Sequence, residues 1–423
     1  MLKQWTVVGA SVLAAALSAW VGPLVPTTRL APPRPAGTPS RSPQLPPSIP
    51  FGAGHAMVML SATTGVVWGY AQGIFSLWTT ADGGQHWQPY RVAAAPARTA
   101  VDQIVPVVDF LSSHIGWIAW VEPGSSTSTL HVLRTYDGGR HWAPSTQSVP
   151  PVVFQAAQVT FLTHRDGWIR TWSQAAAFYQ DPSILRTTTG GRTWRLVSSA
   201  TGYIPNPRAT PDALPDVTQP LPMAFATRQV GWVAAGSVAA PQATLYHTVT
   251  AGARWSPVPL PMPPGARHAR GAQAYPPVFS GPDGDVLIQL TDGTTASANA
   301  VVMERSTNHG RTWTPGALLA VPGQSWNIVS SLVNPHQGWV IGANGVPFAH
   351  TTNGGQSWRT IPLPRSLKTL LAHHYAIQQL DMVTPHVGWI MLQRSVGENG
   401  GAITRFFKTT DGGRTWSDQS VGS

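Results

Sequence analysis

The chain has 423 residues, no cysteine, 41 glycines and 40 prolines, which leaves little room for long helices and excludes disulfides, thiolate metal sites, a cysteine nucleophile and a lipid-bearing cysteine. Hydrophobic residues make up 42% and tryptophan occurs 19 times, enough to build a large core and to exclude wholesale disorder. Charged residues reach only 10%, and 27 Lys and Arg stand against 17 Asp and Glu for a formal charge of +10. Such a balance favours anionic partners, and the dispersal of the positive charge argues against nucleic acid. The scarcity of carboxylates also suits an acidic exterior, because few would lose charge as pH falls.

Residues 1–22 read as a signal peptide or an N-terminal membrane anchor. No charge occurs from Gln4 to Thr28; Ser18 and Ala19 suit cleavage, and the apolar run is also close to the length that spans a bilayer. Residues 23–50 follow as a proline-rich linker, with ten prolines between Pro23 and Pro50. In polyproline II this spacer would reach roughly 85 Å.

Residues 51–423 contain a repeated eight-residue word, hydroxyl-x-Asp-x-Gly-x-x-Trp, hereafter the box. The first copy is Thr80, Asp82, Gly84 and Trp87, and the second Thr135, Asp137, Gly139 and Trp142. The third (Thr187, Thr189, Gly191, Trp194) and fourth (Thr248, Thr250, Gly252, Trp255) carry threonine at the acid position. The fifth (Ser306, Asn308, Gly310, Trp313) and sixth (Thr351, Asn353, Gly355, Trp358) carry asparagine, and the seventh is Thr409, Asp411, Gly413 and Trp416. Successive box tryptophans are 55, 52, 61, 58, 45 and 58 residues apart. That interval suits one four-stranded antiparallel blade.

A second word precedes each box, an apolar pair around Phe or Leu followed by Gly-Trp, as in Phe110 with Gly116-Trp117 and Phe161 with Gly167-Trp168. In repeat one the word reads as degenerate at Val67-Trp68, and in repeat five as Asp285-Val286. Each unit thus predicts two strands around Gly-Trp, a third running into the box and a fourth leaving it. The box is a turn in which glycine accepts positive φ, the hydroxyl bonds the backbone and the tryptophan packs. The expected fold is all-β, a seven-bladed β-propeller in which every blade is one continuous segment and the ring closes by face packing between blades seven and one.

Together the two words resemble those of Asp-box (bacterial neuraminidase repeat) propellers, and in particular the photosystem II assembly and stability factor family. The strings Leu133 to Trp142 (LRTYDGGRHW) and Phe407 to Trp416 (FKTTDGGRTW) carry the likeness, which spans residues 56 to 418. It implies a propeller acting as a scaffold or assembly factor on the outer face of a membrane. Asp-boxes also occur in sialidases, glycoside hydrolases and sorting receptors, so it is less specific for function than for fold.

No catalytic constellation accompanies the repeats. The sialidase Phe/Tyr-Arg-Ile-Pro word is absent, Tyr203-Ile204-Pro205 lacking the arginine, and Asp102, Asp181, Asp212, Asp216, Asp283, Asp292 and Asp418 are scattered over loops. Neither a metal nor a cofactor is expected, since the histidines form no metalloprotease word and the boxes lack the carboxylates of a calcium loop.

The recurring polar feature is the residue before the box hydroxyl: Thr79, Arg134, Arg186, His247, Arg305, His350 and Lys408. Two readings stand side by side, cations lying over tryptophans and a ring that binds anions. Two proline-rich insertions, Thr201 to Pro222 and Ser256 to Ser280, are expected on rims or edges. The second carries Arg267, His268 and Arg270 beside Tyr275, a candidate site for a glycan or acidic peptide. Trp78, Trp120, Trp172 and Trp326 serve either as core or as a sugar platform. The combined expectation is a monomeric, extracytoplasmic, non-catalytic scaffold that engages a protein or an anionic cell-surface polymer, with an N-terminal tether. The alternatives are a carbohydrate-active enzyme and a wall-polymer adhesin.

Overall fold

The computed structural model describes residues 49–52, 56–71, 73–97, 104–172, 181–200, 208–215, 222–237, 243–266, 269–291, 299–322, 328–396 and 401–419. The expected signal or anchor and all but the end of the linker lie outside them. The described chain forms a seven-bladed β-propeller of small antiparallel sheets. Blade two is representative, with strands Val107–Phe110, Gly116–Glu122, Ser128–Thr135 and Ala143–Val149 paired in sequence order. First strands of blades two and three, three and four, five and six, six and seven, and seven and one touch one another. Second and third strands are buried on both faces, as in Gly65–Ala71 and Ile74–Thr80, because each blade is covered by neighbours on either side. Fourth strands such as Gln88–Arg91 are short, polar and exposed, which blunts the outer edges.

The second word is a packing device between blades. The glycine opening each second strand faces the apolar residue of its own first strand: a β-carbon on Gly116 would lie 2.5–2.6 Å from the Phe110 ring. In blades two, three and four the tryptophan that follows stacks on the first-strand aromatic of the next blade, Trp117 on Phe161 at 3.6 Å, Trp168 on Phe225 at 3.7 Å and Trp232 on Phe279 at 4.4 Å. The same phenylalanines meet their own box tryptophans edge-on, Phe161 with Trp194 and Phe225 with Trp255. Stacked rings of this kind contribute about 0.5–1.5 kcal/mol each beyond the area they bury.

Strand register corrects the alignment in two repeats. Every second-strand glycine pairs with the box hydroxyl residue, for instance Gly116 with Thr135. In blade one that partner is Gly65, so Val66 rather than Trp68 holds the tryptophan position. In blade five it is Gly284, so Asp285 stands where blades two, three, four, six and seven have tryptophan.

Ring closure also differs from expectation. Ile49–Gly52 pairs antiparallel with Gly401–Thr404, beside the short fourth strand Ser417–Asp418 on the same edge of blade seven. Blade seven therefore takes a strand from each end of the described chain, and the expected linker boundary at residue 50 falls within a strand. The pairing arises because Ser417–Asp418 covers only part of the third strand of blade seven and leaves backbone donors and acceptors beyond it free. Face packing operates as well, with Met57, Met59, Val67 and Trp78 of blade one in one core cluster with Trp389, Met391 and Phe406.

The insertion at Ser256 to Ser280, expected on a rim or an edge, supplies strands to two blades, one of them an edge strand. Ser256–Pro259 is the fourth strand of blade four, while Gly271–Ala274 and Val278–Ser280 form the divided first strand of blade five. Gly271–Ala274 also pairs with Gly236 and Ser237, so blades four and five share one hydrogen-bonded sheet. The helix Arg365–Ala372 lies between blades six and seven and buries Leu367 and Leu370.

Candidate functional site

Each box closes by the same hydrogen bonds. Thr135 Oγ1 donates to Asp137 Oδ1 and accepts from the Gly139 amide, both at 2.8 Å, and Asp137 Oδ1 accepts from the His141 amide at 3.0 Å. Thr189, Thr250, Asn308 and Asn353 accept the corresponding amide with neutral oxygens, so the acid is replaceable. These bonds hold Asp82 low, to about 2, and Asp137 and Asp411 below the usual carboxylate range, against the burial that opposes them. The tryptophan does more than pack, for its indole donates to the box glycine carbonyl in boxes two, three, four, five and seven.

The box also fastens to its surroundings. The amide before the box glycine donates to the turn between the first two strands of its own blade in all seven repeats, as Gly138 does to His114 at 3.0 Å and Gly83 to Thr63 at 2.7 Å. The carbonyl of that residue accepts the Gly-Trp indole of the preceding blade: Trp117 to Gly190, Trp168 to Ala251, Trp339 to Gly412 and, across the closure, Trp389 to Gly83. First-strand side chains bind the backbone of the next first strand, Asp109 to Phe161 and Asp381 to Met59, and Gln158 both to and from Met223. These residues have structural partners.

The residues before the box hydroxyl lie near the ends of the third strands, Arg134 buried and the other six half-buried. Register places Arg134, Arg186, His247, His350 and Lys408 directly across from the tryptophan of their own blade. Arg186 lies 5.9 Å over Trp168 and Lys408 5.0 Å over Trp389, while His350 stacks on Trp339 at 4.2 Å and His247 tilts against Trp232 at 5.2 Å. Burial lowers the pKa of Arg134, His247, His350 and Lys408. Lys408 further donates to the Ala62 carbonyl of blade one. Arg305 has Asp285, not a tryptophan, opposite it.

The exposed cations lie elsewhere. Arg140, Arg192, Arg311 and Arg414 follow the box glycine at the tip of the turn, with Arg254 one residue further on, and all five are exposed. Because all seven boxes join third to fourth strands, they emerge on one face of the ring, together with the first turn of each blade. That face therefore carries arginines around its perimeter, joined by Arg165 and by Arg228, which pairs with Asp166 at 3.0 Å. None of the five turn-tip arginines forms a salt bridge among the described residues; Arg140 donates to the Tyr90 hydroxyl. Sequence reasoning passed over them, although arginine after the box glycine recurs in four boxes and was the signal available.

A hollow of about 380 Å³ opens on this face between blades five and six, lined by Ser280, Asp283, Asn334, Pro335, His336, Gln337 and Thr352. Asp283 is its one lining carboxylate, 3.7 Å from Arg305. Two wholly buried acids belong to blade five, Asp285 and Glu304, and neither has a hydrogen-bond partner among the described residues. Burial raises Asp285 to about 7 and Glu304 to about 8. Glu304 occupies the register position of Leu133, Leu185 and Phe407.

Other candidates are dispersed. Arg270 is exposed, and Arg267 and His268 lie outside the described residues, as do Trp326, Asp102, Asp216 and Asp292. Trp78 and Trp120 are buried, Trp120 stacked on His131, and Trp172 donates to Gln155. Among the described residues no group of three His, Asp or Glu side chains is arranged to hold a metal ion. No described helix is long and apolar enough to cross a membrane.

The chain matches no family model and no curated protein. Solved structures that it is similar to include YCF48 from Cyanidioschyzon merolae, at 15% identity and a TM-score of 0.44 over 76% of this chain and 86% of that one. A polysaccharide lyase, the PL25 ulvan lyase, is similar at 11% identity and a TM-score of 0.48 over 86% of this chain and 94% of the other. The α-L-arabinofuranosidase Arb93A from Fusarium graminearum is similar at 13% identity and 0.43, over 71% and 92%.

Proposed function

We propose that this protein is a non-catalytic binding scaffold that works outside the cytoplasm and presents the basic face of its propeller to an anionic partner, a protein or a surface polymer. The observation that carries the reading is the set of exposed arginines at the turn tips, Arg140, Arg192, Arg254, Arg311 and Arg414, which have no carboxylate partner among the described residues. A guanidinium forks onto carboxylate, sulfate or phosphate, and several on one rigid face bind a polyanion together. Two further observations support binding over catalysis. The box aspartates are occupied with their own turns, and the hollow on this face is lined by a single carboxylate where two-carboxylate chemistry needs a facing pair. The uncharged segment Gln4 to Thr28 supports export, and the resemblance to assembly and stability factors supports a membrane-side partner.

The test replaces Arg140, Arg192, Arg311 and Arg414 together with glutamine and compares elution from heparin and polyphosphate columns. The variant is expected to keep its unfolding temperature and to elute at markedly lower salt, since each phosphate or sulfate contact contributes to the salt dependence. Unchanged elution would remove the basic face from the reading. Glycan cleavage by the wild type that survives the quadruple substitution would transfer it to the enzyme class.

A further inference from the structure

Blade five departs from its neighbours where two blades meet. In blades two, three, six and seven the tryptophan after the second-strand glycine gives its indole N–H to a turn carbonyl of the next blade. In blade five the corresponding residue is Asp285. It lies against Gly354, the blade-six turn residue equivalent to Gly190, Ala251, Gly412 and Gly83, close enough that a β-carbon there would be 3.3–3.4 Å from both carboxylate oxygens. Asp285 is wholly buried, its oxygens have no hydrogen-bond partner, and no donor reaches the Gly354 carbonyl among the described residues. An unpartnered carboxyl thus lies against the turn residue where four other seams have an indole donor and a carbonyl acceptor. A carboxylate in that position is penalised by burial, whereas a neutral carboxyl supplies the O–H that the missing indole would have supplied.

We propose that the seam between blades five and six is a proton-operated clasp, fastened when the Asp285 carboxyl is neutral and donates to the blade-six turn, and loosened when it ionises. The charged and titratable groups around it are Arg305 across the strand pair, Asp283 at the start of the same strand and His336, whose carbonyl accepts from the Gly354 amide. His350 of blade six is stacked on Trp339, whose indole reaches blade seven. Burial is the largest influence on Asp285, opposed by Arg305 and aided by Asp283, and places its titration near pH 7. The same seam is also held by the Ala317 amide, which donates to the Gly355 carbonyl at 2.8 Å, by the Trp358 indole, which donates to the Ala317 carbonyl at 3.2 Å, by the Tyr275 hydroxyl, which donates to the Ile328 carbonyl at 3.4 Å, and by apolar packing of Met303 and Val301 with Leu332 and Val340. The hollow lined by Ser280 and Asp283 on one side and Asn334 to Gln337 and Thr352 on the other straddles this seam, so its width follows the state of the clasp.

Hydrogen exchange at the Ala317 amide of the whole protein reads the seam directly, after correction for the intrinsic pH dependence of exchange. In the wild type the opening constant is expected to rise by up to about tenfold per pH unit from pH 5 to 7 and then to level, because the open state releases its proton near the ordinary carboxylate value. Asp285→Asn, which keeps a donor and carries no charge, is expected to exchange with no such rise. Arg305→Gln removes a cation that favours ionisation and should move the levelling point to higher pH, while His336→Gln should leave the profile in place. A flat wild-type profile, or a rise that persists in Asp285→Asn, would overturn the proposal. Should Asp285→Asn not fold, a profile that His336→Gln abolishes and Arg305→Gln leaves unmoved would overturn it equally.

Discussion

Replacing Trp389 with phenylalanine isolates what the Gly-Trp word contributes to ring closure. The side chain is wholly buried, its indole donates to the Gly83 carbonyl of blade one at 3.2 Å, and Lys408 lies 5.0 Å over its ring. Phenylalanine keeps most of the apolar contact but leaves a buried carbonyl without a donor, at about 1–2 kcal/mol, and a void worth a further 1–2 kcal/mol or so. The expected loss is about 3 kcal/mol. Trp232 is the internal control, being also buried but with an indole N–H that has no partner among the described residues. Trp232→Phe therefore loses the volume without the bond and should cost about 1 kcal/mol, leaving a difference of about 2 kcal/mol. For a domain of this size that is roughly 2–3 °C in unfolding temperature, with entropy scaling per residue. Calorimetry on the two variants checks it. A loss in Trp232→Phe equal to or larger than that in Trp389→Phe would refute the claim that the indole bond, more than the ring, locks blade seven to blade one.

Three further outcomes follow from the same geometry. Thr135→Val keeps the shape of the box but removes the oxygen shared by Asp137 and the Gly139 amide, and should cost about 1–2 kcal/mol in denaturant unfolding with faster exchange of that amide. Glu304 is raised to about 8, so the native state holds a proton that the unfolded chain gives up near pH 4.5, and stability falls as pH rises between those values. Glu304→Gln should match the wild type near pH 4.5 and exceed it by about 3 kcal/mol at pH 7, at about 1.4 kcal/mol per unit; a constant difference at both pH values would contradict the assignment. Asp82, held at about 2, and Asp411, also lowered, contribute stability that is complete above their unfolded values and fades as pH falls toward 2. The wild-type melting temperature should therefore peak in acid, around pH 4–5, and an optimum above pH 8 would contradict both arms of this reasoning.

The box was legible because its chemistry is local. A hydroxyl four residues before a glycine amide, a side-chain oxygen between them and backbone of positive φ close one turn, whatever surrounds it. Ala251 and His309 adopt that φ without being glycine, at 59° and 60°, so the turn forms without a glycine at the position before the box glycine. The second word was legible as a strand signal, but its alignment in blades one and five was not. Trp68 lies two residues beyond the equivalent position, which is Val66, paired with Thr79. The cation positions divide in the same way. Arg134 and Lys408 recur at a fixed place in a strand, where the neighbouring strand covers them, whereas Arg140 and Arg414 recur at a turn tip, where nothing does.

The order of residues alone determined the number of units, the strand order within each and the turn that ends the third strand, because these depend on contacts a few residues apart repeated at a regular interval. Tertiary structure decided how the units meet. The strand at Ile49–Gly52 joins blade seven because an edge from the far end of the chain leaves backbone groups to be satisfied. Asp285 becomes a buried acid at a seam because Gly354, distant in sequence, lies against it. Both depend on solvent being excluded between surfaces that come together only when the ring has closed.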